Sequence, residues 1–276
     1  MKLILNGLSG LIIITLASTS LASDSKLTTK KLNDESILAL SWVQNSAEFK
    51  ALSYQAFNIA KLKWDMDTGG GKRAIVVDVD ETIIDNSPYS AGLIGKNYGY
   101  TDDNWKAWTE DRSAAAIPGA VEFLNYVVET GGDVFYITNR KSMPEKGNDL
   151  KAATMENLKN LGFPQIDEKH MMLRTDSSKK QSRRDSITEM GYRTVLLMGD
   201  NLADFDAAFD GDTMPARDKA VETYKASFGN KFIILPNPIY GNWEAAVYGG
   251  GKWYNNNSEQ RSQRRIETLK KFKFTE

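Results

Sequence analysis

Short apolar runs alternate along the chain with longer stretches of helical spacing. The β-branched and apolar runs are Ala74-Ile-Val-Val, Val134-Phe-Tyr-Ile, Val195-Leu-Leu-Met and Phe232-Ile-Ile-Leu, with a shorter one at Met171-Met-Leu. Such runs are typical of strands buried on both faces of a parallel sheet. Helical patterns over 120–129, 150–161 and 183–190 lie between them, and each is followed by a glycine, the usual helix stop. The pattern predicts an α/β fold in which helices flank a parallel sheet.

Two segments outside this alternation are predicted to be mainly helical. Residues 36–65 carry aromatic and aliphatic side chains at helical spacing, which indicates an amphipathic helix or a helical pair that ends before Gly69-Gly70-Gly71. Residues 85–117 contain Trp105 and Trp108 but no strand-like run. We interpret this second segment as an insertion over the sheet edge.

Residues 1–22 have the pattern of a secretory signal peptide. Lys2 precedes an apolar stretch over 8–16, and Ser20-Leu21-Ala22 fits the small-x-small cleavage pattern. The apolar stretch is too short for a membrane span, and a lipoprotein would need a cysteine, which the chain lacks. We therefore expect a periplasmic or secreted protein that begins at Ser23, is not a lipoprotein and has no stable membrane anchor.

The composition excludes several kinds of chemistry. With no cysteine and one histidine, the chain offers no thiol nucleophile, disulfide, zinc ribbon or histidine-rich metal centre. His170, just before an apolar run, is interpreted as a structural residue in a loop entering a strand. A net charge of −1 gives no basic field for a nucleic acid polymer. The basic stretch over 261–273 is interpreted as a solvated helical face, with a partner or membrane site as the alternative.

Acidic and hydroxyl side chains follow three of the predicted strands. Asp78 and Asp80 follow the first strand, Thr138 completes the second, and Asp200 and Asp204 follow the strand at 195. In open α/β sheets, ligands bind beyond the carboxyl ends of the strands. Oxygen ligands from carboxylates suit Mg²⁺, and such a cluster of like charges needs a bound cation and a nearby lysine. Asp200 and Asp204 taken alone could also be acids that favour a helix start.

These residues, in this order, resemble the four conserved motifs of the haloacid dehalogenase (HAD) superfamily. Four longer segments are similar to bacterial class C acid phosphatases: Asp-Val-Asp-Glu-Thr-Ile-Ile-Asp-Asn-Ser-Pro-Tyr (78–89), Ile-Pro-Gly-Ala-Val-Glu-Phe (117–123), Tyr-Ile-Thr-Asn-Arg (136–140) and Gly-Asp-Asn-Leu-Ala-Asp-Phe (199–205). The similarity extends from the helix around Trp42 to residues 236–244. Well-known members are lipid-anchored, and the missing cysteine departs from that pattern.

The resemblance implies one phosphatase domain over 23–276. Its Rossmann-like HAD core would cover about 72–84 and 117–240, with a parallel sheet flanked by helices. A smaller, mainly helical subdomain would comprise 30–66, 85–116 and the C-terminal segment.

The resemblance also assigns roles to the residues at the strand ends. Asp78 would be the nucleophile, and Asp80 would act as general acid and then as general base. Magnesium would be held by the carboxylates of Asp78 and Asp200 and by the backbone carbonyl of Asp80, with Asp204 supporting this set from behind. The phosphate oxygens would be bound by Thr138 and by the backbone amide of Asn139.

The lysine that neutralises the nucleophile and the phosphate is Lys179 or Lys180, and the spacing to Gly191 favours Lys180. By the same resemblance, Trp105 and Tyr240 would grip the leaving group of nucleoside monophosphates or aryl phosphates. The alternative for these two is a role in packing.

The function implied is that of an exported, Mg²⁺-dependent acid phosphatase that acts on small phosphomonoesters through an aspartyl-phosphate. A phosphotransferase with the same chemistry is one alternative. A binding protein that captures phosphorylated nutrients is another, although the intact pair Asp78 and Asp80 argues against it. The oligomeric state stays open, with a homodimer among the alternatives.

Overall fold

The computed structural model describes residues 28–274. The predicted signal peptide at 1–22 therefore lies outside the described residues. Within 28–274, no helix combines the length and the apolar character needed to cross a membrane.

The secondary structure follows the predicted alternation of strands and helices. The strands are β1 (Lys72–Val77), β2 (Ile84–Asp85), β3 (Ala115–Ala116), β4 (Asp133–Met143), β5 (Asn148–Asp149), β6 (Met171–Arg174), β7 (Tyr192–Gly199) and β8 (Phe232–Ile234). The helices are α1 (Ile37–Asn45), α2 (Ala47–Met66), α3 (Ser87–Gly92), α4 (Asp102–Asp111), α5 (Ala120–Glu129), α6 (Lys151–Asn160), α7 (Gln181–Glu189), α8 (Met214–Tyr224), α9 (Asn242–Val247) and α10 (Ser258–Glu267). Residues 28–34 are also helical.

Five strands form a parallel sheet in the order β6-β4-β1-β7-β8. Helices connect them, so the predicted α/β class with a parallel sheet flanked by helices is confirmed. Strand β4 is longer than its apolar run because Ser142 and Met143 pair antiparallel with β5 after a short turn. Thr138 therefore lies inside a strand rather than at its end.

Alternate residues of β1 face two different cores, as the two-residue period of a strand requires. Ile75 and Val77 pack into the larger core, which also takes in α2 and α5. Ala74 and Val76 pack into a smaller core on the opposite face. Burial on both faces explains why β1 reads as a continuous apolar run.

The predicted helical segment at 36–65 is a pair of helices, α1 and α2. The break falls at Ser46, whose hydroxyl accepts a hydrogen bond from the Phe49 amide (3.1 Å) and so caps α2. The segment at 85–117 holds α3 and α4 and is closed at its base by the antiparallel pair β2–β3. These two-residue strands were not predicted, because they have no apolar run of their own.

The C-terminal helix α10 returns to the N-terminal helices. Arg265 lies 3.0 Å from Glu35 and 2.5 Å from Glu244, and the Ser262 hydroxyl also bonds Glu35. The two ends of the described chain therefore form one mainly helical part beside the sheet.

Substitution of Trp64 in α2 tests the packing of the larger core. It is 1% exposed, and its indole N–H donates to the Thr130 hydroxyl (2.8 Å). We expect Trp64→Ala to lower the free energy of unfolding by about 3–5 kcal/mol, because it leaves a cavity under α2. Urea denaturation would measure this, with Leu62→Ala on the same helix, 55% exposed, as the control with little loss. Equal losses in the two variants would contradict the described packing.

Candidate active site

Three carboxylates converge at the carboxyl ends of two neighbouring strands. Asp78 follows β1, Asp200 follows β7, and Asp204 lies in the short turn after it. Val77 pairs in parallel with Met198, so the two strand ends lie side by side. Each of the three carboxylates offers an oxygen within 4.8 Å of the other two.

A buried lysine joins two of these carboxylates. The Lys180 ammonium bonds the Asp78 carboxylate and lies 2.7 Å from Asp204 Oδ1. Its side chain is 6% exposed, whereas that of Lys179 is 72% exposed and lies 3.4 Å from Asp210. Of the two lysines that the sequence left open, Lys180 is the one that contacts the cluster.

The cluster carries more negative than positive charge. Burial raises the pKa of Asp78 to about 7, with Lys180 opposing the shift and Asp204 adding to it. Burial and the charges of Asp204 and Asp78 also raise the pKa of Asp200 well above its usual range. Burial would lower the pKa of Lys180, but its two carboxylate partners outweigh this effect and raise it. A further cation would relieve the repulsion among the carboxylates.

Gly199 permits the close approach of Asp204. A Cβ at position 199 would lie 2.3 Å from Asp204 Oδ2, far inside contact distance. The same oxygen accepts a hydrogen bond from the Asn201 amide (2.9 Å). The glycine before Asp200 therefore serves to bring Asp204 against the strand end.

Asp200 has polar partners but no cationic partner within residues 28–274. Asn237 donates to its Oδ2 (2.7 Å) and Thr82 to its Oδ1 (3.4 Å). The ligand atoms offered by Asp78, Asp200 and Asp204 are all carboxylate oxygens. This all-oxygen, negatively charged set fits a hard divalent cation rather than zinc.

The Asp80 carboxylate is held apart from this group. Arg140 donates to Asp80 Oδ1 through Nε (2.9 Å) and also approaches it with Nη2 (2.8 Å). Asn86 donates to the same oxygen (2.9 Å), and Thr138 donates to Oδ2 (3.1 Å). The family resemblance implies that the backbone carbonyl of Asp80 binds the metal, which would leave the side chain available for a separate role.

Glu81, Asn86 and Arg140 were given no role in the sequence analysis. Asn86 donates to both Asp80 and Glu81, while its oxygen accepts from Trp108 and from Arg140. Glu81 is buried with a left-handed φ of 57°, and burial raises its pKa well above the usual range. All three lie within the segments that are similar to the phosphatase family, and this similarity was the sequence signal that could have identified them. Strand ends alone could not identify Asn86, because the two-residue strand β2 that precedes it has no apolar run of its own.

The carboxylates open into a cavity of about 1050 Å³. Trp105, Tyr240 and Asn139 also line it. The Trp105 ring packs edge-on against Tyr89 (4.9 Å between centroids), and the Tyr240 hydroxyl donates to Glu81. Both predicted leaving-group aromatics are therefore half-buried and face the same cavity as the nucleophile candidate.

Two other residues from the sequence analysis, Asn139 and His170, contact only a few polar side chains among the described residues. Asn139 is exposed, and its side-chain oxygen accepts from Arg183 (2.8 Å). His170 does not line the cavity. It is buried between Asp133 (3.0 Å) and Asp167 (2.8 Å), as expected of a structural residue.

The buried charges predict a strong effect of removing Lys180. Lys180→Gln leaves two buried carboxylates without their cation, so we expect it to lower the free energy of unfolding of the metal-free protein by about 3–5 kcal/mol. Urea denaturation at pH 7 would measure the loss. Lys179→Gln, at an exposed site, is the control and should cost less than about 1 kcal/mol. A similar effect in both variants would contradict the pairing of Lys180.

Comparisons with known proteins agree on one family. A family model described as HAD superfamily, subfamily IIIB (acid phosphatase), matches residues 13–243. The class C acid phosphatase of Bacillus anthracis is 39% identical with a TM-score of 0.79, over 88% of this chain and 100% of that one. Its structure with tungstate bound is 38% identical with a TM-score of 0.81, over the same shares.

Two plant proteins are also similar. Acid phosphatase 1 of Solanum lycopersicum is 30% identical over 204 residues, in a match that covers 70% of this chain and 68% of the tomato protein. The stem 31 kDa glycoprotein of Glycine max is 24% identical over 173 residues, 60% of this chain and 58% of the soybean protein.

Proposed function

Because the chain belongs to the acid phosphatases of the HAD superfamily, subfamily IIIB, we propose that it hydrolyses phosphomonoesters with Mg²⁺ through an aspartyl-phosphate on Asp78. Its relatives make it a phosphomonoester hydrolase rather than a protein that only captures phosphorylated nutrients. The observation that carries the proposal is the contact between Asp78 and Lys180 within a buried cluster of carboxylates.

In the first step, an Asp78 carboxylate oxygen attacks the phosphorus of the substrate. A phosphorus–oxygen bond to Asp78 forms while the bond to the leaving oxygen breaks. Lys180 stays beside Asp78 and stabilises the negative charge on the transferring phosphoryl group. Thr138 and the Asn139 amide bind the phosphate oxygens.

Asp80 carries out the proton transfer in both steps. It donates a proton to the leaving oxygen, and it then takes a proton from the water that attacks the aspartyl-phosphate and releases inorganic phosphate. Arg140 and Asn86 hold Oδ1, so the rest of the carboxylate keeps its position. Thr138 is the partner of Oδ2, and its turn toward the phosphate would free that oxygen for the proton.

Asp78, Asp200 and the Asp80 carbonyl would hold Mg²⁺, supported by Asp204. When bound, this ion supplies positive charge to the carboxylates and to the substrate phosphate. The excess of carboxylates over cations in the cluster supports this assignment.

Nucleoside monophosphates and aryl phosphates are the substrates we propose. Trp105 and Tyr240 line the cavity beside Asp78, and stacking on a ring is worth about 1–3 kcal/mol for any base. Stacking on these two rings suits several leaving groups rather than a single one. Export to the periplasm or the medium and a homodimeric state stay predictions from the sequence.

Replacement of the nucleophile tests the chemistry directly. With p-nitrophenyl phosphate and Mg²⁺, we expect turnover by the protein from Ser23 that is abolished by a chelator. Asp78→Asn should lower kcat by about 10³-fold or more, because an amide at this position cannot form the aspartyl-phosphate. Asp185→Asn, at an exposed position on α7, is the matched control. Turnover that survives Asp78→Asn would rule out the mechanism.

The raised pKa of Asp78 predicts that metal binding depends on pH. Burial places this pKa at about 7 in the metal-free protein, and the metal binds only the deprotonated carboxylate. The apparent affinity for Mg²⁺ should therefore weaken by at least about tenfold for each pH unit below about 7, because the Asp200 ligand, whose pKa is also raised, must lose its proton as well. Calorimetric titration in two buffers of different ionisation enthalpy would count the protons released. An affinity for Mg²⁺ that does not change between pH 5 and 8 would contradict the prediction, because these values lie about one unit or more on either side of the Asp78 pKa.

A further inference from the structure

The cavity of about 1050 Å³ is lined by the C-terminal segment as well as by the carboxylate cluster. The C-terminal segment contributes Tyr248, Trp253 and Arg261 to this lining. Pockets for drug-sized ligands occupy about 300–1,000 Å³. A phosphate with a single aromatic ring would leave much of this cavity to water.

The cations that line the cavity are paired, with one exception. Those with a carboxylate partner are Arg140 (Asp80), Lys179 (Asp210), Lys180 (Asp78 and Asp204) and Arg265 (Glu35 and Glu244). Arg261 has no carboxylate within ion-pair distance in residues 28–274. On the acidic side, Asp200 is the cavity carboxylate without a cation in the same part of the chain. Within residues 28–274, the cavity thus has a carboxylate without a cation at the proposed metal site and a cation without a carboxylate on the wall formed by the C-terminal segment.

The guanidinium of Arg261 is held in a defined orientation. Its carbon lies 4.8 Å from the centroid of the Trp253 ring and 5.9 Å from that of Tyr248. Its Nε donates to the Asn256 carbonyl (3.1 Å). The two terminal nitrogens have no hydrogen-bond partner among the described residues, and together they can bind a phosphate or carboxylate through two parallel bonds.

The neighbouring arginines of α10 differ from Arg261. Arg264 is exposed and lies 3.4 Å from Glu267, and Arg265 is bound to Glu35 and Glu244. The interpretation of 261–273 as a solvated helical face is therefore wrong for Arg261, which is half-buried against the aromatic rings. Its side chain lies on the side of the helix that borders the cavity.

We propose that Tyr248, Trp253 and Arg261 form a second subsite that binds an anionic group carried by the leaving group. The substrates it favours are phosphomonoesters with a second phosphate or carboxylate beyond an aromatic or sugar moiety, such as nucleoside bisphosphates. This inference rests on the proposed function, since it assigns the phosphate that is cleaved to Asp78.

The test compares three substrates on three forms of the enzyme. The substrates are p-nitrophenyl phosphate, adenosine 5′-monophosphate and adenosine 3′,5′-bisphosphate, and the readout is total phosphate released. The variants are Arg261→Gln and, as matched control on the same helix, Arg264→Gln. We expect Arg261→Gln to lower kcat/KM for the bisphosphate about tenfold, mostly through KM, because a charged hydrogen-bonded contact is lost. The other two substrates should change by less than about twofold, and Arg264→Gln should match the wild type throughout.

A binding measurement separates this subsite from the chemistry. Calorimetry on Asp78→Asn, with and without Arg261→Gln, would compare the affinities for the bisphosphate and the monophosphate. Failure of wild-type turnover with p-nitrophenyl phosphate would overturn the proposed function, whereas loss of affinity specific to the bisphosphate would still support the subsite. Equal losses for all ligands would show that Arg261 is only structural, and no loss for the bisphosphate would overturn the proposal.

Discussion

The confinement of three carboxylates beside one buried ammonium group, which contacts only two of them, is the constraint on which the rest of the structure depends. The parallel register of β1 and β7 brings Asp78 and Asp200 together, and the turn after β7 adds Asp204. Burial limits the screening of these charges by water, and the fold supplies Lys180 from the start of α7 and a backbone amide to Asp204. The remaining negative charge is a property of the folded chain, and it favours the binding of a cation at the cluster.

Much of this arrangement could be predicted because it depends on local patterns. Each strand of the parallel sheet is buried on both faces, so it appears as an apolar run, and the acids that follow such runs converge whatever the intervening sequence is. The rest depends on distant contacts that leave no periodic signal. The hairpin of β4 with β5 is polar, and the β2–β3 pair is too short to have a pattern. The choice between Lys179 and Lys180 depends on which side chain the start of α7 directs inward.

The surroundings of Asp80 show why a proton-transfer group is hard to recognise from sequence alone. Its partners Asn86, Thr138 and Arg140 come from a loop and a neighbouring strand, and they meet only in the folded chain. Asn86 also bonds Glu81, which receives the Tyr240 hydroxyl. A continuous set of hydrogen bonds therefore links the proposed acid to an aromatic ring in the substrate cavity. A substitution at either end should affect the other, because the hydrogen bonds of such a set polarise one another.

The return of α10 to the N-terminal helices also bears on the order in which the site is completed during synthesis. Once the ribosome has added residue 204, the nascent chain contains Lys180 and every carboxylate of the cluster. The cavity wall that includes Arg265, which lies 3.0 Å from Glu35, needs the chain up to at least residue 265. A nascent chain thus contains the carboxylate cluster well before it contains the C-terminal segment that lines the rest of the cavity. A protease that shortens the chain from the C-terminus would remove that part of the cavity lining first.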